Sequence, residues 1–124
     1  MAKSARPFLM FTGQAEETMR FYVSLFPGAE IVDLKHHPEG GKVMRATFAI
    51  AGQPIMCTDS PPVHAFTFTP STSLFIECES ETELDRLAEA LGATVMMPAA
   101  SYGFSRRFAW VADRFGVSWQ LNLT

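Results

Sequence analysis

The sequence predicts an α+β fold: two βαβββ modules whose strands form a curled mixed sheet around a cavity. Three observations predict it. An internal repeat relates the two halves: Phe8 and Leu74 fall in short apolar runs and Leu25 and Leu91 in helical patterns, both at the same 66-residue offset. A connection running from Asp59-Ser60-Pro61-Pro62 through Val63-His64 to Thr69-Pro70 interrupts regular pairing near mid-chain. Each half also closes with two apolar runs joined by a Gly-containing turn. We therefore divide residues 1–124, a single domain, into a first module at 1–62 and a linker with second module at 63–124.

Each element has a local reason. Phe8-Leu9-Met10-Phe11 is short and apolar, as a strand is. Ala15, Thr18, Met19, Tyr22, Leu25 and Phe26 then recur at helical spacing. Glu16 and Glu17 favour the first turn, where the helix dipole attracts carboxylates, and Pro27-Gly28 ends the helix. Ala29-Glu30-Ile31-Val32 reads as a strand. Ala46–Ile50 and Gln53–Cys57 form a hairpin about Ala51-Gly52. In the second half Leu74-Phe75-Ile76 is the first strand. Ser80-Glu81-Thr82-Glu83 is a capping box, and Leu84, Leu87, Ala88 and Leu91 make the helix stripe, ended by Gly92. Ala93–Met96 is the next strand. Phe108–Val111 and Val117–Leu121 pair about Asp113-Arg114-Phe115-Gly116.

Composition bounds the function. With 48% hydrophobic residues the chain has enough apolar mass for one core without disulfides. Seven Met and eleven Phe suit a thick core or an apolar cavity. A net charge of −3 argues against nucleic acid as the partner. No apolar run approaches the roughly 20 residues that span a bilayer. The opening MAKSARPFLMF lacks the apolar stretch of a signal peptide. Cys57 and Cys78 fit no CxxC or Cys/His pattern and read as buried thiols of a cytoplasmic protein.

The chain resembles a known family. The segments that carry the likeness are Phe8–Phe11, Ala15-Glu16-Glu17, Phe21-Tyr22, Leu25–Ala29, Gly52-Gln53, Cys57–Ser60 and Ser73–Phe75. The most specific are Tyr102–Val111 and Asp113–Leu121. Together they look like the PhnB-like family of the glyoxalase/bleomycin-resistance/dioxygenase (vicinal oxygen chelate) superfamily. Members are often labelled 3-demethylubiquinone-9 3-methyltransferase. Many carry Gly where this chain has Ala109. The resemblance implies a homodimer, since such modules commonly pair across a two-fold axis. It also implies where metal-dependent relatives would place four ligands, on the first and last strands of each module: here Pro7, Met56, Ser73 and Gln120. None is a usual ligand for a divalent transition ion, so we expect no metal and no cofactor.

Strand alternation orders the site. Ser118, Gln120 and Asn122 share one face, with Trp119 and Leu121 toward the helix. With Ser73, Phe75, Met56 and Phe11, Ser118 and Gln120 are the expected ligand-contacting residues, and Ser105 and Arg106 could bind an anionic or carbonyl-bearing group. The alternative for the arginines Arg106 and Arg107 is pairing with the acidic helix residues Glu81, Glu83 and Glu89. Candidates for acid, base or nucleophile are Glu77, Tyr102 and Cys57, with packing as the plainer role of Cys57. His36 and His37 read as exposed loop residues, and His64 as structural or at the cavity mouth. Asp59 and Asp113 read as backbone caps.

The expected function is binding of a small, partly apolar molecule without a metal. The alternatives are a metal-independent lyase or isomerase on a small carbonyl compound, or a dimeric interaction module with a closed core. Methyl transfer from adenosylmethionine usually needs a doubly wound sheet with a Gly-rich loop after its first strand. Gly13 stands alone in that area, and we expect no such activity.

Overall fold

In the computed structural model, which describes residues 1–124, strand, helix and three strands follow one another twice. The first series is β1 (Phe8–Phe11), α1 (Ala15–Leu25), β2 (Glu30–His36), β3 (Val43–Ile50) and β4 (Gln53–Asp59). The second is β5 (Ser73–Glu77), α2 (Glu81–Leu91), β6 (Thr94–Ala100), β7 (Arg107–Ala112) and β8 (Ser118–Leu123). The chain divides into two compact units, Met1–His64 and Ala65–Thr124. Each holds one four-stranded mixed sheet, ordered β1-β4-β3-β2 in the first and β5-β8-β7-β6 in the second. The first strand of each unit pairs parallel with the last, and the other pairings are antiparallel. This is the predicted α+β architecture, in two sheets that do not close on themselves. No helix is long and apolar enough to cross a membrane.

One face of each sheet carries the unit's helix. In the first unit Ala15, Thr18, Met19 and Tyr22 of α1 are buried with Phe48, Ile55 and Cys57 of the sheet. In the second, Leu84, Leu87 and Leu91 of α2 are buried with Val111, Trp119 and Leu121. Burying such side chains contributes roughly 1.5–3 kcal/mol each, which makes this layer the main stabiliser of each unit.

The two helices start differently. Ser80 caps α2, its hydroxyl accepting from the Glu83 amide at 3.1 Å. Glu83 reaches back to the Glu79 amide at 2.8 Å, one residue before the position a standard capping box would use. Helix α1 has no side-chain cap from Gln14. Its N-terminal amides are met by Asp59, 44 residues further along the chain: Oδ1 accepts from Gly13 at 2.8 Å and Ala15 at 3.0 Å. The other oxygen accepts from the Val43 amide at 2.9 Å. Asp113 in the second unit holds its own turn, accepting from Phe115 and Val117 amides through Oδ1, and from the Trp119 indole through Oδ2 at 2.9 Å.

Three expectations need correcting. The equal 66-residue offset does not survive in the faces of the strands. Phe8 lies opposite Met56 on the open face, whereas Leu74 lies opposite buried Trp119. The first strands are out of step by one residue, because β1 reaches its helix through Gly13 at φ 135° and β5 through extended Ser80. Phe11 consequently faces the helix, 4% exposed, rather than a ligand, and Phe8 rather than Pro7 shares Met56's face. Finally, His36 is no loop residue: it ends β2, with Nε2 2.6 Å from Glu16 Oε1.

Candidate functional site

The faces turned away from the helices carry most of the candidate site residues. On the second sheet, alternation places Ser73, Phe75 and Glu77 of β5 beside Ser118, Gln120 and Asn122 of β8, with Phe108 and Trp110 of β7 beyond. A hydrogen-bond ladder crosses it. Trp110 Nε1 donates to Ser118 Oγ at 2.8 Å, Ser118 and Ser73 hydroxyls lie 2.7 Å apart, and Gln120 Nε2 donates to Ser73 Oγ at 3.3 Å. Gln120's amide oxygen takes no part in the ladder. Phe75, directly across from Gln120, is 58% exposed. A polar amide thus stands against an uncovered aromatic ring, the mixture a small partly apolar molecule requires.

Glu77 closes one end of that face. It accepts from Asn122 Nδ2 at 2.9 Å, and from the Thr124 hydroxyl at 2.7 Å and amide at 3.0 Å. These bonds, Asn122's first, hold its carboxyl below the usual range. That opposes a role as general base, which wants a value near the working pH. Tyr102 donates its hydroxyl to the Pro98 carbonyl and stacks on Phe104. Cys57 is wholly buried, and burial, with Asp59 and Asp33 nearby, pushes its thiol up to about 12. Cys78 is raised to about 11, also chiefly by burial. Neither sulfur is a thiolate near neutrality, so neither has the character of a nucleophile. Within the second unit, Glu77 and Tyr102 are bonded to different partners.

The arginines separate. Arg107 Nε donates to Asp85 at 2.7 Å, with Glu81 at 3.8 Å, on the helix side. The partner is Asp85 rather than Glu83 or Glu89, one helical turn from Glu81. Arg106 is exposed and donates through Nε to the Thr124 carbonyl at 2.7 Å. Ser105 is half-buried, its hydroxyl 3.4 Å from the Arg107 carbonyl.

The open face of the first sheet presents Phe8 and Met10 of β1, Met56 of β4, Arg45 and Thr47 of β3, and Asp33 and Lys35 of β2. Asp33 and Lys35 reach this face because β2 slips register between Ile31 and Asp33, which resets the alternation. Periodicity within β2 could not have revealed it.

Similarity to known proteins now bears on these faces. A family model described as 3-demethylubiquinone-9 3-methyltransferase matches residues 3–122. The chain belongs to this PhnB-like family. A Bacillus cereus PhnB protein, designated a 3-demethylubiquinone-9 3-methyltransferase, is 46% identical over 98% of this chain and 100% of its own, with a TM-score of 0.92. Protein PA1353 of Pseudomonas aeruginosa is 25% identical over 98% of both chains, with a TM-score of 0.81. The fosfomycin resistance protein FosX of Listeria monocytogenes, solved with Mn(II) and a dihydroxypropylphosphonic acid, shares the fold at 17% identity. It covers 98% of this chain and 93% of its own, with a TM-score of 0.65. No curated protein matches the chain.

Neither group these relatives bring to mind fits the residues of this PhnB-like chain. The first and last strands of each unit present Phe8, Met56, Ser73, Phe75, Glu77 and Gln120 to the open faces. Both oxygens of Glu77 are taken by Asn122 and Thr124, and one neutral amide and a hydroxyl do not hold a divalent transition ion. No three His, Cys, Asp or Glu residues cluster anywhere. A nucleotide-type methyl donor usually sits against a helix N-terminus after the first strand. Here the amides of Gly13 and Ala15 at that junction already bond Asp59.

Proposed function

We propose that this PhnB-like protein binds a small, partly apolar, carbonyl-bearing molecule on the open face of its second sheet, without a resident metal. Gln120 is the polar anchor. Its amide is half satisfied by Ser73, and it stands beside exposed Phe75. That juxtaposition carries the reading. Ser73, Ser118 and Trp110 hold one another by hydrogen bonds, so the anchor is pre-oriented and a ligand does not have to order it. Lyase or isomerase chemistry has less support. It needs an acid and a base together, whereas Glu77 is tied to Asn122 and Thr124, and Cys57 is buried.

The same reading includes a homodimer and a cytoplasmic location. The outermost strands β2 and β6 leave Val32 56% and Val95 53% exposed, apolar edges that a second copy would cover. Both cysteines are free and buried, as in a reducing compartment. Light scattering at micromolar concentration should give the dimer mass, and a monomer mass would remove that part of the proposal.

The test of binding uses Prodan, a neutral naphthyl ketone whose emission reports its surroundings. Wild-type protein should bind it saturably, one per chain, and Phe75→Ala should weaken it. No saturable binding, or binding indifferent to Phe75 and Gln120, would defeat the proposal.

A further inference from the structure

The open face of the first sheet carries a feature that the reading above does not use. We propose that it binds a small molecule with an anionic group and an apolar body, with Arg6, Lys35 and Arg45 as an oxyanion-binding cluster. This goes beyond the binding proposed for the second sheet. The three cations surround a groove of about 710 Å³, floored by Phe8 and Met56.

Three observations converge. First, Lys35 and Arg45 stand directly opposite one another across the antiparallel β2–β3 ladder. Like charges in that position repel. Neither Lys35 nor Arg45 is among the cations in the ion pairs formed by Arg20, His36 and Arg107. Asp33 is the one carboxylate in the groove; it lies opposite Thr47 and makes no ion pair. Three cations against one carboxylate, in a chain of net charge −3, leave a local positive field. An entering anion would cancel the repulsion.

Second, Thr47 is 4% exposed and lines this groove, yet its hydroxyl makes no hydrogen bond within the protein. Every fully inaccessible side-chain oxygen and nitrogen has a partner. The Thr47 hydroxyl is therefore reachable from the groove, and it is a donor waiting for an acceptor. Third, the floor is apolar: Phe8 is 57% exposed and Met56 half-buried. A bare inorganic anion has no use for such a floor, whereas a carboxylate, phosphate or sulfonate on an apolar body matches all three features. Arginine's planar fork suits such oxyanions in particular.

Two dyes that differ by one group test this. 8-Anilinonaphthalene-1-sulfonate carries a sulfonate, and N-phenyl-1-naphthylamine is the same body without it. At low salt the wild-type protein should bind the sulfonate about tenfold more tightly, as one or two charge-assisted contacts provide. Raising the salt should narrow the gap. Lys35→Gln with Arg45→Gln should abolish the preference and leave the neutral dye's affinity unchanged. The dye-free thermal midpoint of that double variant should hold or rise, because a repulsion has been removed, so lost binding could not be blamed on unfolding. Equal binding of the two dyes by wild type, or a preference surviving in the double variant, would overturn the oxyanion site while the apolar-ligand reading stands. Failure of both dyes to bind would overturn it as well.

Discussion

The two open faces share a strand order and differ in kind. On the second sheet the polar groups satisfy one another: Trp110, Ser118, Ser73 and Gln120 form one chain of hydrogen bonds, and Glu77 is held by Asn122 and Thr124. On the first sheet several polar groups are left wanting. Lys35 faces Arg45, and Thr47 keeps an unused hydroxyl. The helix-side layers of the same sheets are alike, both filled by Leu, Phe, Trp or Met against one amphipathic helix. The contrast locates the constraint. Where a helix must pack, a repeated motif stays similar, because large-to-small changes there cost several kcal/mol. Where nothing from the same unit packs, the two copies differ, one carrying a hydrogen-bonded amide and the other a cationic groove.

The largest effect should come from the packed side. Trp119 is fully buried, and its indole satisfies Asp113. Trp119→Ala should cost about 3–5 kcal/mol in urea denaturation. A loss below about 1 kcal/mol would mean that the layer does not bear on stability as described. Asp59→Ala comes next, at about 2–4 kcal/mol, because it strands buried amides at two places far apart in sequence. Hydrogen exchange should then show the start of α1 opening ahead of α2, whose Ser80 cap is local. Equal loss of protection in both helices would count against the asymmetry of the two helix starts.

Smaller effects sharpen the comparison of the faces. Gln120→Ala should weaken Prodan by about 1–3 kcal/mol, the cost of an unpaired polar group, with the denaturation midpoint nearly unchanged. A stability loss without a binding loss would make Gln120 structural. The smallest effect concerns Glu77. Its folded carboxyl titrates below the ordinary value of 4.5. The depressed value means that its bonds stabilise the fold above the unfolded value, and that this contribution disappears as pH falls through the folded one. Wild type should therefore exceed Glu77→Gln in stability at pH 7, with the gap narrowing as the pH falls below the ordinary carboxylate value. A gap independent of pH would contradict it.

Much of the fold was legible because its signals are local. The 3.6-residue stripes ending at Phe26 and Leu91, the Ser80 cap and the Ala51-Gly52 turn each lie within one short window. In the structure Ala51 and Gly52 both take positive φ, at 50° and 80°, as a tight hairpin requires. The alternation that separates Trp119 from Gln120 is local too. What escaped depends on pairing. The one-residue phase difference between β1 and β5 moved Phe11 to the helix side and brought Phe8 forward. The register slip after Ile31 turned Asp33 and Lys35 onto the open face. Asp59 was read as a cap, but that it reaches α1's first amides rather than a neighbouring turn is a long-range fact. A run of alternating residues does not record which partner strand, or which bulge, sets its phase.

The central claim is that the Gln120 face binds ligand while the layer behind it does not change. Nitrogen-15 NMR reads both sides at once, since the Gln120 side-chain amide and the Trp110 indole lie on the open face and the Trp119 indole lies behind it against Asp113. On titration with Prodan, the Gln120 and Trp110 resonances should shift together and saturate, with Trp119 nearly still. Shifts at Trp119 that equal or exceed those at Gln120 and Trp110, or none at all under saturating Prodan, would contradict the account.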